Sequence, residues 1–131
     1  MQLELGVVGG AAAFLAFAVA LYGAVVGSVG AARRDARLIT SARLSAVAGF
    51  LVATVAVVVM EAALLTDDFA VSYVAQHSRV ASPVWVKVVT LWAALEGSIL
   101  LWAWLLSGYT ALVAALAPLN PLRPWAIAVM Q

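Results

Sequence analysis

Ionisable side chains in apolar surroundings are the first candidates for chemistry in this chain. The segment TLWAALEGSILLWAWL, residues 90–105, holds one, Glu96, among apolar and small neighbours. A second, Glu61, sits in the Val/Ala-rich run VATVAVVVMEAALL of residues 52–65. A carboxylate in a membrane-spanning helix is costly and is a functional candidate by default. On a helix, Trp92 falls one turn before Glu96 on the same face, and Trp85 two turns before that. Such a polar and aromatic face suits the wall of a cavity for a flat or cationic ligand. The competing reading is a helix-start device, with Glu96 and Ser98 at the positive end of a helix dipole. Glu61 has its own plain alternative, a side chain that reaches up to water. His77, in the polar stretch AQHSR of residues 75–79, has the imidazole that ligates iron, and the alternative there is a solvated surface histidine.

Other chemistries are excluded. There are no cysteines, hence no disulfides, no thiolate nucleophile and no Cys-based metal site. One histidine cannot build a multi-histidine metal centre. No P-loop, dinucleotide fingerprint, metalloprotease motif or nucleophile triad is present, and a catalytic serine would have its only candidate base in a distant loop. No catalytic residue is assigned. A net charge of +1 offers no basic field for nucleic acid.

The elements that position these residues follow from the solvent. The 131 residues are 66% hydrophobic and 10% charged, with a mean hydropathy of +1.11. A soluble domain carries about 25% charged residues. Lipid is the fitting surroundings, and the chain reads as an all-α, polytopic transmembrane helix bundle. Three long apolar runs are the spans, at about 5–29, 44–65 and 97–117, and about 20 apolar residues cross a bilayer as a helix. Lipid enforces internal backbone hydrogen bonding, so even the valine-rich second run is expected to be helical. The N-terminus is not read as a cleaved signal, because the first apolar run exceeds a signal h-region and only Glu4 precedes it. The proline-rich stretch APLNPLRP, residues 117–124, breaks the third run. From Trp125 an apolar stretch restarts and reads as the start of a fourth span in a longer parent.

Charge sets the expected orientation. The first loop carries Arg33, Arg34, Arg37 and Arg43 against Asp35; the loop at 66–83 carries Asp67, Asp68, His77 and Arg79. The positive-inside rule places the Arg33–Arg43 loop in the cytoplasm, and the N-terminus and the 66–83 loop outside. Lys87 mildly opposes this. As one helix, residues 84–117 would measure about 50 Å against a hydrocarbon core of about 30 Å. Residues 84–95 are therefore expected to extend outward or lie along the surface, where Trp85 and Trp92 suit the headgroup zone. Glu96 and Glu61 then both fall near the outer leaflet and could flank one acidic chamber.

Small residues at Gly6, Gly10, Ala13, Ala16, Ala20, Gly23 and Gly27 form a stripe that lets helices approach closely in lipid. Trp102 and Trp104, deeper in the third run, read as packing residues.

Three stretches carry a family resemblance. RDARL follows the first span at residues 34–38; DDFAVSYVA opens the outer loop at 67–75; PVW at 83–85 leads through Trp92 to EGSILLW at 96–102. In this order they resemble the N-terminal part of the CcmF family, the haem lyase subunit of bacterial cytochrome c maturation, and its nitrite-reductase paralogue NrfE. The matching positions are Asp68, Phe69, Tyr73, Val74, Ala75, Glu96, Gly97, Ser98 and Trp102. This chain departs at Leu95, where the family often has His, at Arg34, where it usually has Gly, and at His77, where Asn is common.

The resemblance implies a longer, multi-pass parent in the bacterial inner membrane. That parent presents haem b to apocytochrome c at the outer face, after delivery from a haem chaperone and alongside other maturation subunits. The histidines and the tryptophan-rich segment that hold haem in that family are not among these residues, so no haem ligand is carried over. Trp92, Glu96 and Glu61 are the candidates for the wall of a haem chamber, and the isolated fragment is expected to be inactive. Two other readings come from the residues: a small, four-span, proton-coupled cation or drug transporter, and a structural membrane subunit. Transporters of that kind place their glutamate inside the first span, where this chain has none.

Overall fold

The computed structural model describes residues 2–93, 95–116 and 122–131, with the side chains of residues 2–4 and 96 outside that description. The described residues form helices and turns with no strand. In chain order the helices are α1 (Gln2–Arg33), α2 (Ala36–Leu65), α3 (Ser72–His77), α4 (Val84–Ala93), α5 (Leu95–Leu116) and α6 (Arg123–Met130). Three of them, over Leu5–Arg33, Ala36–Leu65 and Gly97–Leu116, are long and apolar enough to cross a membrane. Their large side chains mostly face outward, as in Phe14, Phe17, Leu51, Ile99 and Leu106, while small ones such as Ala42, Ala46, Ala53 and Ala56 are buried. That inversion of the soluble pattern is what lipid-exposed helices require, since lipid tails are as apolar as leucine and helices associate by close packing.

α1 and α2 form a hairpin whose connection is shorter than the arginine-rich loop expected from charge. Arg33 closes α1, and Arg37 and Arg43 already lie in α2. Only Arg34 and Asp35 lie between. The Arg34 amide donates to the Ala31 carbonyl and the Asp35 amide to the Gly30 carbonyl, a two-bond closure of the last turn. Arg34 takes a left-handed φ of 55°, and Asp35 caps α2 by accepting the Arg37 amide at 2.8 Å. α2 ends the same way: Asp67 is left-handed at φ 53°, its amide donates to Leu64, and the Asp68 amide donates to Ala63 at 2.9 Å. No described glycine has positive φ. Glycine here serves close approach. A Cβ on Gly27 would press on Ala42 and Ala128, and one on Gly30 would meet Leu38 at 2.9 Å.

α2 is the central helix, flanked by α1 and α5, with α4 and α6 against it at opposite ends. At one end, the arginine end, Arg43 and Arg123 both donate to the Ala114 carbonyl near the C-terminus of α5. Cations there complement the negative end of the helix dipole. At that end α6 sits among α1, α2 and α5 with Ile127 and Ala128 buried. Beyond it a groove of about 480 Å³ runs between α1 and α5, floored by Ser45, Ala46, Gly49, Ala53 and Ala56 of α2. The opposite end, the loop end, carries α3, α4 and the start of α5. The proline-rich break at 117–121 lies outside the described residues.

Candidate functional site at the loop end

The left-handed turn at Asp67 drives the chain back over the end of α2. Asp68, Tyr73 and Val74 are thereby buried, and Tyr73 and Val74 pack with Ala63, Leu64 and Leu91 in one cluster. The Asp68 carboxylate accepts the Ala70 amide at 3.2 Å, and its carbonyl accepts Val71 at 3.0 Å. Its Oδ2 is buried with no hydrogen-bond partner among the described residues. The motif at 67–75 is thus a structural knot whose acids and Tyr73 turn inward, while Phe69 and Ala75 face out.

Two contacts tie this knot to α4 and α5. The Lys87 ammonium forms an ion pair with Asp67 Oδ2 at 2.5 Å, and Ser78 donates to the other carboxylate oxygen at 3.3 Å. Lys87 is buried, so its charge is spent on Asp67. The Tyr73 hydroxyl donates to the Thr90 carbonyl at 2.6 Å. A Cβ on Gly97 would collide with that hydroxyl and with the Leu91 carbonyl oxygen. In an unbroken helix, residues six apart rise by about 9 Å, so α4 and α5 do not share one axis.

The register of α2 against α5 places the two glutamates. Arg43 bonds at Ala114; the Phe50 ring lies against Gly108; Thr54 accepts the Trp104 indole N–H at 2.8 Å. Each step up α2 is matched by one back along α5. About two turns beyond Thr54, this antiparallel register brings Glu61 level with Gly97. Glu61 is half-buried, and its Oε1 has no partner among the described residues. The backbone of Glu96 belongs to α5 and so lies at the same level, and its side chain lies outside the described residues. Ser98 donates to the Leu95 carbonyl at 2.8 Å, so its hydroxyl bonds within the first turn and caps no backbone amide.

The remaining candidates are dispersed. Trp92 and Trp102 are exposed on α4 and α5. Trp104 stacks on Phe50 with ring centroids 6.1 Å apart. His77 stacks on Tyr73 at 4.6 Å, and its Nδ1 donates to the Tyr73 carbonyl at 3.0 Å. Charge counting along the sequence missed the Asp67–Lys87 pair, and no sequence spacing pointed to Tyr73 meeting Gly97. The one available signal was that the chain's single lysine follows an acidic pair across one loop.

The comparisons decide the family. The chain is 43% identical over 108 residues to the cytochrome c-type biogenesis protein CcmF of Escherichia coli, covering 82% of this chain and 17% of that protein. The Pseudomonas aeruginosa CcmF is 40% identical over 103 residues, 79% of this chain and 16% of that protein. A solved structure described as cytochrome c heme lyase CcmF superimposes with a TM-score of 0.90 at 38% identity, over 96% of this chain and 21% of that one. This chain belongs to the CcmF family. It also matches a probable cytochrome c-type biogenesis protein NrfE of Escherichia coli, at 42% identity over 69 residues, 51% of this chain and 12% of that protein. No family model matches. The chain thus spans about a sixth of the length of the curated CcmF relatives it matches.

The CcmF assignment implies haem involvement, and the chain's single histidine is the one imidazole that could serve as an axial ligand. His77 lies exposed on α3 and does not line the groove between α1 and α5. Among the described residues no three His, Asp or Glu side chains converge.

Proposed function

We propose that this chain is a structural part of a CcmF-type haem lyase subunit that presents haem to apocytochrome c at the outer face of the bacterial inner membrane. Within that subunit it would brace the outer-face platform and supply no haem ligand. The observation that carries the reading is the knot at the loop end. Tyr73 and Gly97, from two separate motif stretches, meet where Asp67 also holds Lys87, and Asp68 is buried in the same turn. The family match supplies the process, cytochrome c maturation. By the same resemblance a haem chaperone, apocytochrome c and other maturation subunits are the partners.

The charge distribution supports the orientation. Arg33, Arg34, Arg37, Arg43 and Arg123 gather at one end, which the positive-inside rule assigns to the cytoplasm. Lys87, the cation that argued against this, is neutralised by Asp67. Glu61 and Glu96, level with each other near the outer leaflet, are our candidates for the wall of the chamber facing the platform.

Replacement of the matching segment of the Escherichia coli relative by this chain tests the reading. In cells lacking their own CcmF, the chimera is expected to restore covalently haem-stained cytochrome c. A chimera present in the membrane at normal level, with no mature cytochrome, overturns it.

A further inference from the structure

α4 is built inside out. Its sequence VWVKVVTLWA has only two polar side chains, Lys87 and Thr90, and both point into the protein. Lys87 is 7% exposed and paired with Asp67, whereas Trp85 is 70% and Trp92 69% exposed, with Val84, Val88 and Val89 beside them. The Thr90 hydroxyl is returned to the Val86 carbonyl at 2.8 Å. The outward face of α4 therefore offers no hydrogen bond except the two indole N–H groups. A helix facing water would be arranged the other way round.

We propose that this face of α4 is seated in the lipid leaflet at the loop end of the bundle, with Trp85 and Trp92 at the boundary between headgroups and acyl chains. Continuity with the spans singles out lipid as the occupant. Large apolar side chains stay exposed from Trp92 through Leu95, Ile99 and Trp102 to Leu106 on α5, a membrane-crossing helix, with Ile99 and Leu106 at the edge of the groove toward α1. Among the described side chains, this exposed surface carries no charge from α4 to α5. An indole there buries its ring and keeps its N–H among headgroups. Burial of Lys87 against Asp67 is what makes the seating possible, because an outward ammonium would otherwise lie on the lipid face. The inference places α4 beside the bundle in the leaflet, not projecting into water, and it takes Trp92 out of the chamber wall. It rests on the membrane fold alone and stands or falls separately from the haem lyase reading.

The absence of cysteine allows a direct test. Single cysteines at each of positions 84–93 of this chain carry a nitroxide in phosphatidylethanolamine/phosphatidylglycerol vesicles. Collision rates are measured with oxygen, which concentrates in lipid, and with a water-soluble nickel chelate. The expected profile is a several-fold excess of oxygen over nickel at 85, 88, 89 and 92, with both low at 87, 90 and 91. Nickel exceeding oxygen at 85 and 92 would place α4 in water and overturn the proposal. Low values of both at those positions, meaning protein cover, would overturn it equally, as would a profile with no helical period.

Discussion

The Tyr73 hydroxyl stands where a Cβ on residue 97 would have to be, and it is held there by the Thr90 carbonyl at 2.6 Å. Residues from α3, α4 and α5 thus meet at one point, and glycine is what lets them meet. Gly97→Ala is expected to destabilise by about 1–3 kcal/mol, the usual cost of overpacking a filled site. Tyr73→Phe alone should cost about 1 kcal/mol for the lost hydrogen bond. Together the two changes should cost less than their sum, because removal of the hydroxyl clears part of the space. The Leu91 carbonyl and the ring Cζ of residue 73, at 2.7 Å, remain in the way, so recovery should be partial. Thermal melting in detergent, with membrane abundance of the chimera, reads this cycle. Strict additivity would mean that the two residues do not touch.

The Asp67–Lys87 pair makes a second cycle. Lys87 is buried and Asp67 is partly so, with side chains 8% and 19% exposed. Loss of one partner from a fully buried pair costs about 3–5 kcal/mol, because it strands a charge. The partial exposure of Asp67 lowers that figure here. Asp67→Asn is expected to destabilise α4 docking more than Lys87→Met does, since the first strands the more buried ammonium. The double variant should be more stable than Asp67→Asn alone. Protease cleavage in the 78–83 segment, followed over time, measures whether α4 stays docked.

Several of these features were legible in the sequence for a physical reason. Apolar runs of spanning length have few alternatives in lipid, so the all-α bundle with three spans follows from composition. The glycines at 23 and 27 announced close packing, and a Cβ at 27 would press on Ala42 and Ala128. Lys87 illustrates what was not legible. Along the sequence it counts as one charge against the orientation, and only the return of the chain at Asp67 shows that it is cancelled. The ends of α1 and α2 were hidden in the same way. Their closing residues, Arg34 and Asp67, are not the glycine or asparagine that left-handed turns favour, so no residue type marked them.

Arg34 therefore carries backbone strain. A non-glycine residue in the left-handed region costs about 1 kcal/mol or somewhat more. Arg34→Gly is expected to raise the melting temperature of the hairpin, and Arg34→Val to lower it, since a β-branched side chain tolerates that φ worst. A fall in melting temperature with glycine would show that the Arg34 side chain contributes more than its backbone costs. Because Arg33, Arg37 and Arg43 remain, the orientation should not change, and alkylation of a single cysteine in the 78–83 loop checks that separately.

Glu61 and Glu96 share a level of the bundle, so their roles are best separated by removing charge while keeping shape. If Glu96 were only a helix-start device, Glu96→Gln would forfeit a dipole interaction of about 0.3–1 kcal/mol, and cytochrome c maturation by the chimera would continue. If the two carboxylates line the chamber, Glu96→Gln should lower haem-stained cytochrome c at unchanged membrane abundance, and Glu96→Asp should restore part of it. Glu61→Gln should act in the same direction. The double variant should then be little worse than either single one, because both act on one chamber. Normal maturation in the double variant would remove both glutamates from the functional set. Loss of the protein itself would assign them to packing at the seam between α2 and α5.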